Sequence, residues 1–390
     1  KTMNKKLVTL AVAAAMAAPA AAMADATLYG KLNVGINYVD QDNGFEGWGL
    51  SDNKAVQGWT LDGSSTARIP FITTPQGPSN RIGVKGSEDL GNGLKAIYQI
   101  ELGFSLSDSA NTPVSGNETI TMRNTFAGLS GSWGTFLMGR HDTPLKISTG
   151  PLDLFADTLA DYNNTVGFQD LRADNAIAYI SPSFSGFTFA AAVHAGGGAQ
   201  FPSGYNTEVD SLAEAYSFAG IYKNGPWYGS LAYEGLNKDM GTAVALDAET
   251  WGKWRVGLGI LDWNGFTLTG VYEGWQNGLW ADGLDANLWN VQAGYTFGNF
   301  MVKAAYGSNT TQDTLAVIAP NFAAIYGNDD YNFKTWSFGV DYNLSKRTKA
   351  FLLYTDNTAD DVGVCDVAAR TCDDFSLDWT GFQLGMMHNF

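Results

Sequence analysis

The sequence has little charge, few cysteines or histidines, and no long apolar run beyond its N-terminal segment. Charged residues fill 16% of the 390 positions, whereas soluble globular proteins carry about 25%. The 23 basic residues are outnumbered by 39 acidic ones, which disfavours a nucleic acid partner because phosphate binding needs clustered basic groups. No later stretch approaches the ~18 consecutive apolar residues of a spanning helix. Three scattered histidines and two cysteines show neither a Ser-His-Asp arrangement nor metal-ligand spacing, so we predict no enzyme activity and no cofactor.

The first 24 residues have the composition of a targeting signal. Two lysines precede an apolar run from Leu7 to Ala18, Pro19 interrupts it, and Ala22-Met23-Ala24 offers a small-residue cleavage site. The alternative, an N-terminal transmembrane helix, is disfavoured because the run is short and interrupted by proline. We therefore predict a cleaved signal peptide at 1–24 and a single exported domain at 25–390.

Short turn segments rich in Gly, Asn and Ser recur along the rest of the chain. Their mean spacing of about 42 residues fits a repeat of two ten-residue strands, one tight turn and one long loop, as in transmembrane barrels. Seven such turns join 14 strands, and a first strand near 26–40 and a last strand near 379–390 bring the total to 16. The turn segments are 89–93, 130–134, 181–186, 223–225, 262–265, 298–299 and 343–347.

Apolar and polar residues alternate along the predicted strands. In the first strand, Leu28, Val34 and Ile36 fall on one face, and Lys31 and Asn33 fall on the other. A soluble sandwich also alternates, but charged side chains in mid-strand favour a barrel in lipid around a wet lumen. Lipid tolerates no open sheet edge. The predicted fold class is therefore all-β, a 16-stranded antiparallel transmembrane β-barrel, with Lys31, Lys95 and Glu101 in the lumen.

The chain ends on an alternating strand. Phe382, Leu384, Met386 and His388 share one register, and the last residue is the aromatic Phe390. This ending resembles the C-terminal strands of bacterial outer-membrane barrels, which the assembly machinery reads. The resemblance assigns Phe390 the role of an assembly signal and places the protein in the outer membrane.

Four further segments carry a family resemblance. The stretch 80–96 is similar to the second hairpin of Gram-negative trimeric porins, with 123–129, 134–143 and 174–182 matching in order. Neisserial and β-proteobacterial porins are the nearest comparison. The resemblance implies a 16-stranded barrel, a homotrimer, and passive diffusion of ions and small hydrophilic solutes across the Gram-negative outer membrane. Two alternatives stay open: a substrate-specific channel, and a surface or structural barrel with acidic loops.

The same resemblance implies an inward-folded third loop at about 141–171 that constricts the pore. Opposed rows of acidic and basic side chains would create a transverse field in a low-dielectric channel. The acidic side matches Asp153 and Asp157, and the basic side matches Arg81, Lys85, Arg140 and Arg172, with Arg123 as a further candidate. The direction of ion selectivity does not follow from these residues, and we predict low selectivity.

Three features outside the constriction complete the sequence reading. The segment 39–78 is long for a first loop, and it is read either as a variable outer loop or as a lid or trimer latch. Cys365 and Cys372 are separated by six intervening residues in an exported chain, which permits a disulfide; free thiols are the alternative. Loop carboxylates are read as solvated surface groups, with Ca²⁺ binding as the alternative.

Overall fold

The structure is a computed structural model in which part of the chain is described. The described residues are 26–41, 56–61, 80–104, 120–196, 211–240, 249–280, 282–311, 331–359, 362–366, 371–375 and 378–390. The predicted signal peptide at 1–24 and most of the long first loop lie outside them.

Sixteen antiparallel strands form the main sheet in the described part of the chain. Each strand pairs with its neighbour, and β1 pairs with both β2 and β16, so the sheet closes on itself. This confirms the predicted 16-stranded barrel. The strands are β1 (Thr27–Gln41), β2 (Asn80–Gly91), β3 (Leu94–Phe104), β4 (Ile120–Met122 and Thr125–Gly131), β5 (Gly134–Asp142), β6 (Arg172–Ile180), β7 (Phe187–His194), β8 (Ala215–Asn224), β9 (Trp227–Leu236), β10 (Trp251–Trp263), β11 (Phe266–Gln276), β12 (Ala286–Phe297), β13 (Phe300–Thr311), β14 (Tyr331–Asn343), β15 (Thr348–Ala359) and β16 (Trp379–Asn389).

Short elements lie between the barrel strands. The strand Val56–Leu61 pairs with the second half of β1, and Val362–Asp366 pairs with Thr371–Phe375 in a separate hairpin. Between β5 and β6 lie α1 (Pro144–Thr149), the 3₁₀ turn Gly150–Leu152 and α2 (Tyr162–Thr165). Two further 3₁₀ turns span Lys238–Met240 and Gly278–Trp280. None of the described helices is long and apolar enough to cross a membrane.

All seven predicted turns connect consecutive strands. Their residue types suit the backbone they adopt. In the β10–β11 turn, Asp262, Asn264 and Gly265 have φ of 54°, 51° and 86°, in the left-handed region where Gly, Asn and Asp are least strained. Local turn chemistry therefore sets where each hairpin reverses.

Each strand has an apolar face and a polar face. On β1, Leu28 is 60% exposed, whereas Asn33 is fully buried. The same alternation on β14 exposes Trp336 and Phe338 and buries Asp341. Water-soluble proteins do not leave a continuous apolar band exposed in this way, so the apolar face is the surface that meets lipid.

Five aromatic residues stand near strand ends in the sequence, where membrane barrels carry interfacial belts, and the sequence predicts that they face lipid. Trp227, Phe266, Phe297 and Phe300 are indeed exposed there, but Trp251 is only 5% exposed. Trp251 falls on the polar face of β10 and packs edge-to-face against Trp275 and Trp280, with ring centroids 5.3 and 5.4 Å away. Its position in the strand register, rather than its position along the chain, decides its environment.

Candidate functional site

Residues 143–171, which we call the β5–β6 loop, pack against the polar face of the barrel strands. Thr143 caps α1 by accepting a hydrogen bond from the Lys146 amide, and Asp161 caps α2 by accepting one from the Asn163 amide. Pro144 occupies the first turn of α1, where its missing N–H leaves no intrahelical bond unmade. These caps fix two compact turns within the loop.

Hydrogen bonds attach the loop to many strands in succession. The Leu145 amide donates to Ser217 on β8, and Thr269 on β11 donates to the Leu152 carbonyl. At the far side of the loop, the Leu159 amide donates to Gln383 on β16. Further bonds to polar-face side chains join Ser148 to Tyr228 on β9, Leu154 to Gln292 on β12 and to Lys303 on β13, and Val166 to Asn309 on β13.

Buried cations on β10 and β13 form the strongest attachments. Arg255 is fully buried, pairs with Glu273 at 2.5 Å and Asp170 at 2.6 Å, and donates to Thr149 Oγ1 at 3.0 Å. Because Thr149 and Asp170 lie near opposite ends of the loop, this single guanidinium ties both ends to the wall. Its planar fork of N–H donors suits such multiple pairing. Lys253 pairs with Glu234 at 2.6 Å and donates to the Gln169 carbonyl.

Asp157 is a second loop carboxylate that meets basic side chains directly. It lies 2.5 Å from Lys31 Nζ and 3.6 Å from Arg81, and its carbonyl accepts a hydrogen bond from Asn33. Burial works against ionisation, but the Lys31 and Arg81 cations outweigh it and lower the pKa of Asp157 to about 2. Asp157 is therefore ionised throughout the neutral and mildly acidic range.

A second charged group lies on β3 to β6. Arg123 pairs with Glu101 at 2.7 Å, Arg140 with Asp174 at 2.5 Å, and Arg172 with Asp142 at 2.9 Å. The three arginines therefore each have a carboxylate partner, and the predicted lumen residue Glu101 is one of those partners.

An interruption of β4 places Arg123 in this group. The strand breaks at residues 123 and 124, where the Arg123 amide donates to the Glu101 carbonyl. The Asn124 side chain donates to Asp142 and accepts from Arg172. An irregularity of this kind redirects side chains that regular pairing would leave on alternating faces.

Tyr29 contacts Glu101 of the second group and the predicted basic residue Lys85. Its hydroxyl donates to Glu101 at 2.9 Å, and Lys85 Nζ lies 5.1 Å from the centre of its ring. The predicted basic residues Arg81, Lys85, Arg123, Arg140 and Arg172 thus lie along adjoining strands from β2 to β6, interleaved with carboxylates.

Asp153 has a different environment from Asp157. It is 9% exposed, and it accepts hydrogen bonds from the Phe155 and Tyr162 amides and from Gln292 Nε2. Burial raises its pKa to about 6. Burial and the nearby Asp153 charge raise the pKa of Asp161 well above its usual value. Asp153 therefore organises the interior of the loop.

The remaining predicted residues lie away from this group. Lys95 is at the turn end of β3 and is exposed. Cys365 and Cys372 face each other in the backbone register of the two-stranded hairpin. Phe390 exchanges two backbone hydrogen bonds with Gly30, both of 3.0 Å. Among the described residues there is no cluster of three or more metal-ligating side chains.

Sequence reasoning missed the buried cations Lys253, Arg255 and Lys303. The available signal was strand register, because Lys253 and Arg255 alternate with Trp254, which is 40% exposed on the apolar face. Their carboxylate partners lie on neighbouring strands, and a single strand's pattern does not reveal them.

Comparison with known proteins agrees with this architecture. Residues 9–362 match the family model described as Gram-negative porin. An outer membrane porin protein of Bordetella pertussis is 29% identical over 385 residues, covering 90% of this chain and 93% of its own. The major outer membrane protein P.IB of Neisseria gonorrhoeae is 28% identical, with 90% and 92% covered. The solved anion-selective porin from Comamonas acidovorans matches with a TM-score of 0.66 at 21% identity, covering 94% of this chain and 99% of its own.

A closed barrel with an apolar lipid-facing band and a charged opposite face is a membrane channel of the outer-membrane type. The chain belongs to the Gram-negative porin family. It is an outer membrane channel for passive diffusion.

Proposed function

We propose that this porin passes ions and small hydrophilic solutes through a water-filled channel that the β5–β6 loop narrows. The observation that carries the proposal is the attachment of this loop to polar-face side chains on β8 to β13, β16 and β1. A loop bound to the polar face of so many strands lies within the ring that those strands form.

The charged groups would act on solutes by ordering water and aligning dipoles. Asp157 lies on the loop, whereas Arg81 and Lys31 lie on the barrel wall beside it. In a channel of low dielectric, fixed opposite charges create a local field that polar solutes tolerate better than apolar ones. The role proposed for these side chains is therefore to filter by polarity, with no chemical step and no cofactor.

The proposed assembly is a homotrimer, as the family resemblance implies. The main rival function is a surface or structural barrel whose channel does not conduct; a substrate-specific channel is the second. Single-channel recording of purified protein in a planar bilayer distinguishes a conducting porin from a structural barrel that does not conduct. We expect stepwise openings in groups of three. A protein that inserts without conducting would favour the structural role.

A cysteine placed on the loop tests the constriction itself. Ala156 is exposed on the loop next to Asp157. In a background with Cys365 and Cys372 replaced by serine, A156C should lose part of its conductance when a bulky water-soluble thiol reagent is added. The matched control is L258C, because Leu258 is 63% exposed on the apolar face of β10. Labelling of A156C without any change in conductance would contradict a loop in the conducting path.

A further inference from the structure

Glycines on the polar face of the strands lie directly beneath the apolar side chains of the β5–β6 loop. Leu152, Phe155, Leu159 and Val166 are each at most 1% exposed, although they belong to a loop. We propose that glycines on the barrel wall leave room for these loop side chains, seat the loop against the wall and thereby set the width of the channel. We call each such position a socket; the sockets are at Gly257, Gly259, Gly307, Gly339 and Gly381. The proposal rests on the proposed function, in which the loop narrows the channel.

The first socket is on β10. A Cβ atom at Gly257 would lie 2.6 Å from Leu152 Cδ1 and 2.9 Å from Thr149 Cγ2, and one at Gly259 would lie 2.8 Å from Leu152 Cδ2. Such separations are shorter than real side-chain carbons adopt. The Leu152 side chain therefore occupies the space that the Cβ atom of any other residue type would need at positions 257 and 259.

Two more sockets lie on β14 and β16. A Cβ atom at Gly339 would lie 2.9 Å from Phe155 Cε1, and one at Gly381 would overlap Leu159 Cδ2. Gly339 is four strands away from Gly257 along the sheet, and Gly381 is two further still. Val166 stands in the same relation to Gly307 on β13, at 2.7 Å. The sockets thus receive loop side chains from Leu152 to Val166.

Glycine is otherwise unfavourable in a strand, because it has no side chain to pack and loses much conformational freedom. None of Gly257, Gly339 and Gly381 has a left-handed backbone, so turn geometry does not require glycine there. Close approach of a loop side chain is the reason common to all three. At Gly257 the wall atom Ser230 Oγ also lies 2.6 Å from the position of a Cβ atom.

Two glycines on the apolar face, Gly220 and Gly229, have more open surroundings. A Cβ atom at Gly229 on β9 would meet nothing nearer than Leu258 Cδ2 at 3.8 Å, and one at Gly220 on β8 would meet Phe189 at 3.8 Å. These are ordinary van der Waals separations, so alanine fits at both positions. They supply matched control substitutions in the same barrel.

A methyl group in a socket conflicts with the end of a loop side chain, which must change position because the strand backbone is held by hydrogen bonds on both sides. Since that side chain is buried among its neighbours, we expect the loop to move with it. The loop would move off the wall toward the channel axis. We therefore expect G257A, G339A and G381A each to lower single-channel conductance by a factor on the order of 1.5 and to add open-channel noise. G229A should conduct like the unmodified protein.

A compensating substitution on the loop makes the test specific. L159V removes the δ-methyl groups that conflict with a Cβ at position 381, so G381A/L159V should recover conductance lost in G381A. Where G381A does not fold, recovery of folding in the double variant supports the socket, and failure to recover overturns it. Socket variants that conduct like G229A, or a loss that L159V does not reverse, also overturn it. An unmodified protein that does not conduct would instead refute the proposed function.

Discussion

Arg255 shows how much of the loop's attachment depends on one side chain. The guanidinium is fully buried and has carboxylate partners on the wall and on the loop. Removing it would leave the carboxylates of Glu273 and Asp170 without their counter-ion in a buried site. That loss lowers the free energy of unfolding more than replacing the whole charged group by apolar residues would.

Arg255→Met should lower the free energy of unfolding by about 3–5 kcal/mol, the usual cost of breaking a buried ion pair from one side. Urea unfolding in lipid vesicles, followed by tryptophan fluorescence, measures the loss. The matched control is Arg140→Met, because the Arg140–Asp174 pair is 29% and 37% exposed and should contribute less than about 1 kcal/mol. Equal losses in the two variants would contradict the assignment.

Asp153 makes the stability of the loop depend on pH. Its pKa is about 6 in the folded protein because the group is buried, and it falls to about 4 when the chain unfolds. The folded state therefore binds the proton more tightly, so stability is gained as the pH falls from 7 through 6 and is lost again as the pH rises.

The urea midpoint should accordingly be higher at pH 5 than at pH 7, and Asp153→Asn should show less of this gain. Asp157→Asn is the control, because the lowered pKa of Asp157 leaves that group ionised at both pH values. A midpoint that changes equally in all three proteins would assign the pH dependence to other groups.

At the scale of elements, the strands and tight turns could be predicted from the sequence, and the loop's packing could not. Turns such as 262–265 and the alternation around Leu28 are local signals that depend on a few adjacent residues. The bond between Leu159 and Gln383 joins positions far apart in the chain. The glycines under the loop have no side chain whose type could indicate a partner. From the sequence alone they predict only that something packs closely at these positions.

The hairpin of Val362–Asp366 and Thr371–Phe375 carries the predicted disulfide. Cys365 and Cys372 are register partners across it, as a cross-strand disulfide requires. We expect no alkylatable thiol in the unreduced, denatured protein and two after reduction. Reduction should also speed proteolysis within this hairpin, because it removes the crosslink. Two thiols that react without reductant would contradict the disulfide.

At the scale of the whole molecule, the acidic composition and the charge along the channel are separate properties. The sequence has a formal net charge of −16, yet the cations Arg123, Arg140 and Arg172 each have a carboxylate partner. Paired charges at short range largely cancel in their effect on a passing ion. The net charge of the chain therefore does not decide which ions the channel admits.

The reversal potential across a KCl gradient should be close to zero for the unmodified protein. Asp157→Asn leaves Lys31 and Arg81 without their shared carboxylate and should shift the reversal potential toward anion preference, more strongly at low salt because screening is weaker there. Leu231→Asn on the apolar face serves as control, since Leu231 is 61% exposed to lipid. A strong preference of either sign in the unmodified protein would contradict the expectation of low selectivity.

The pairing of β1 with β16 has a consequence for the order in which the barrel folds. Lys31 pairs with Asn389, and Gly30 with Phe390, so β1 closes the ring by pairing with β16, the most distant of the described strands along the chain. Until β16 has been synthesised and exported, the other strands cannot complete the ring, and two unpaired edges stay open to other chains. Such distant pairing is slow to form. The order of biogenesis is thus imposed by topology: closure comes last, and the chain needs protection from self-association until then.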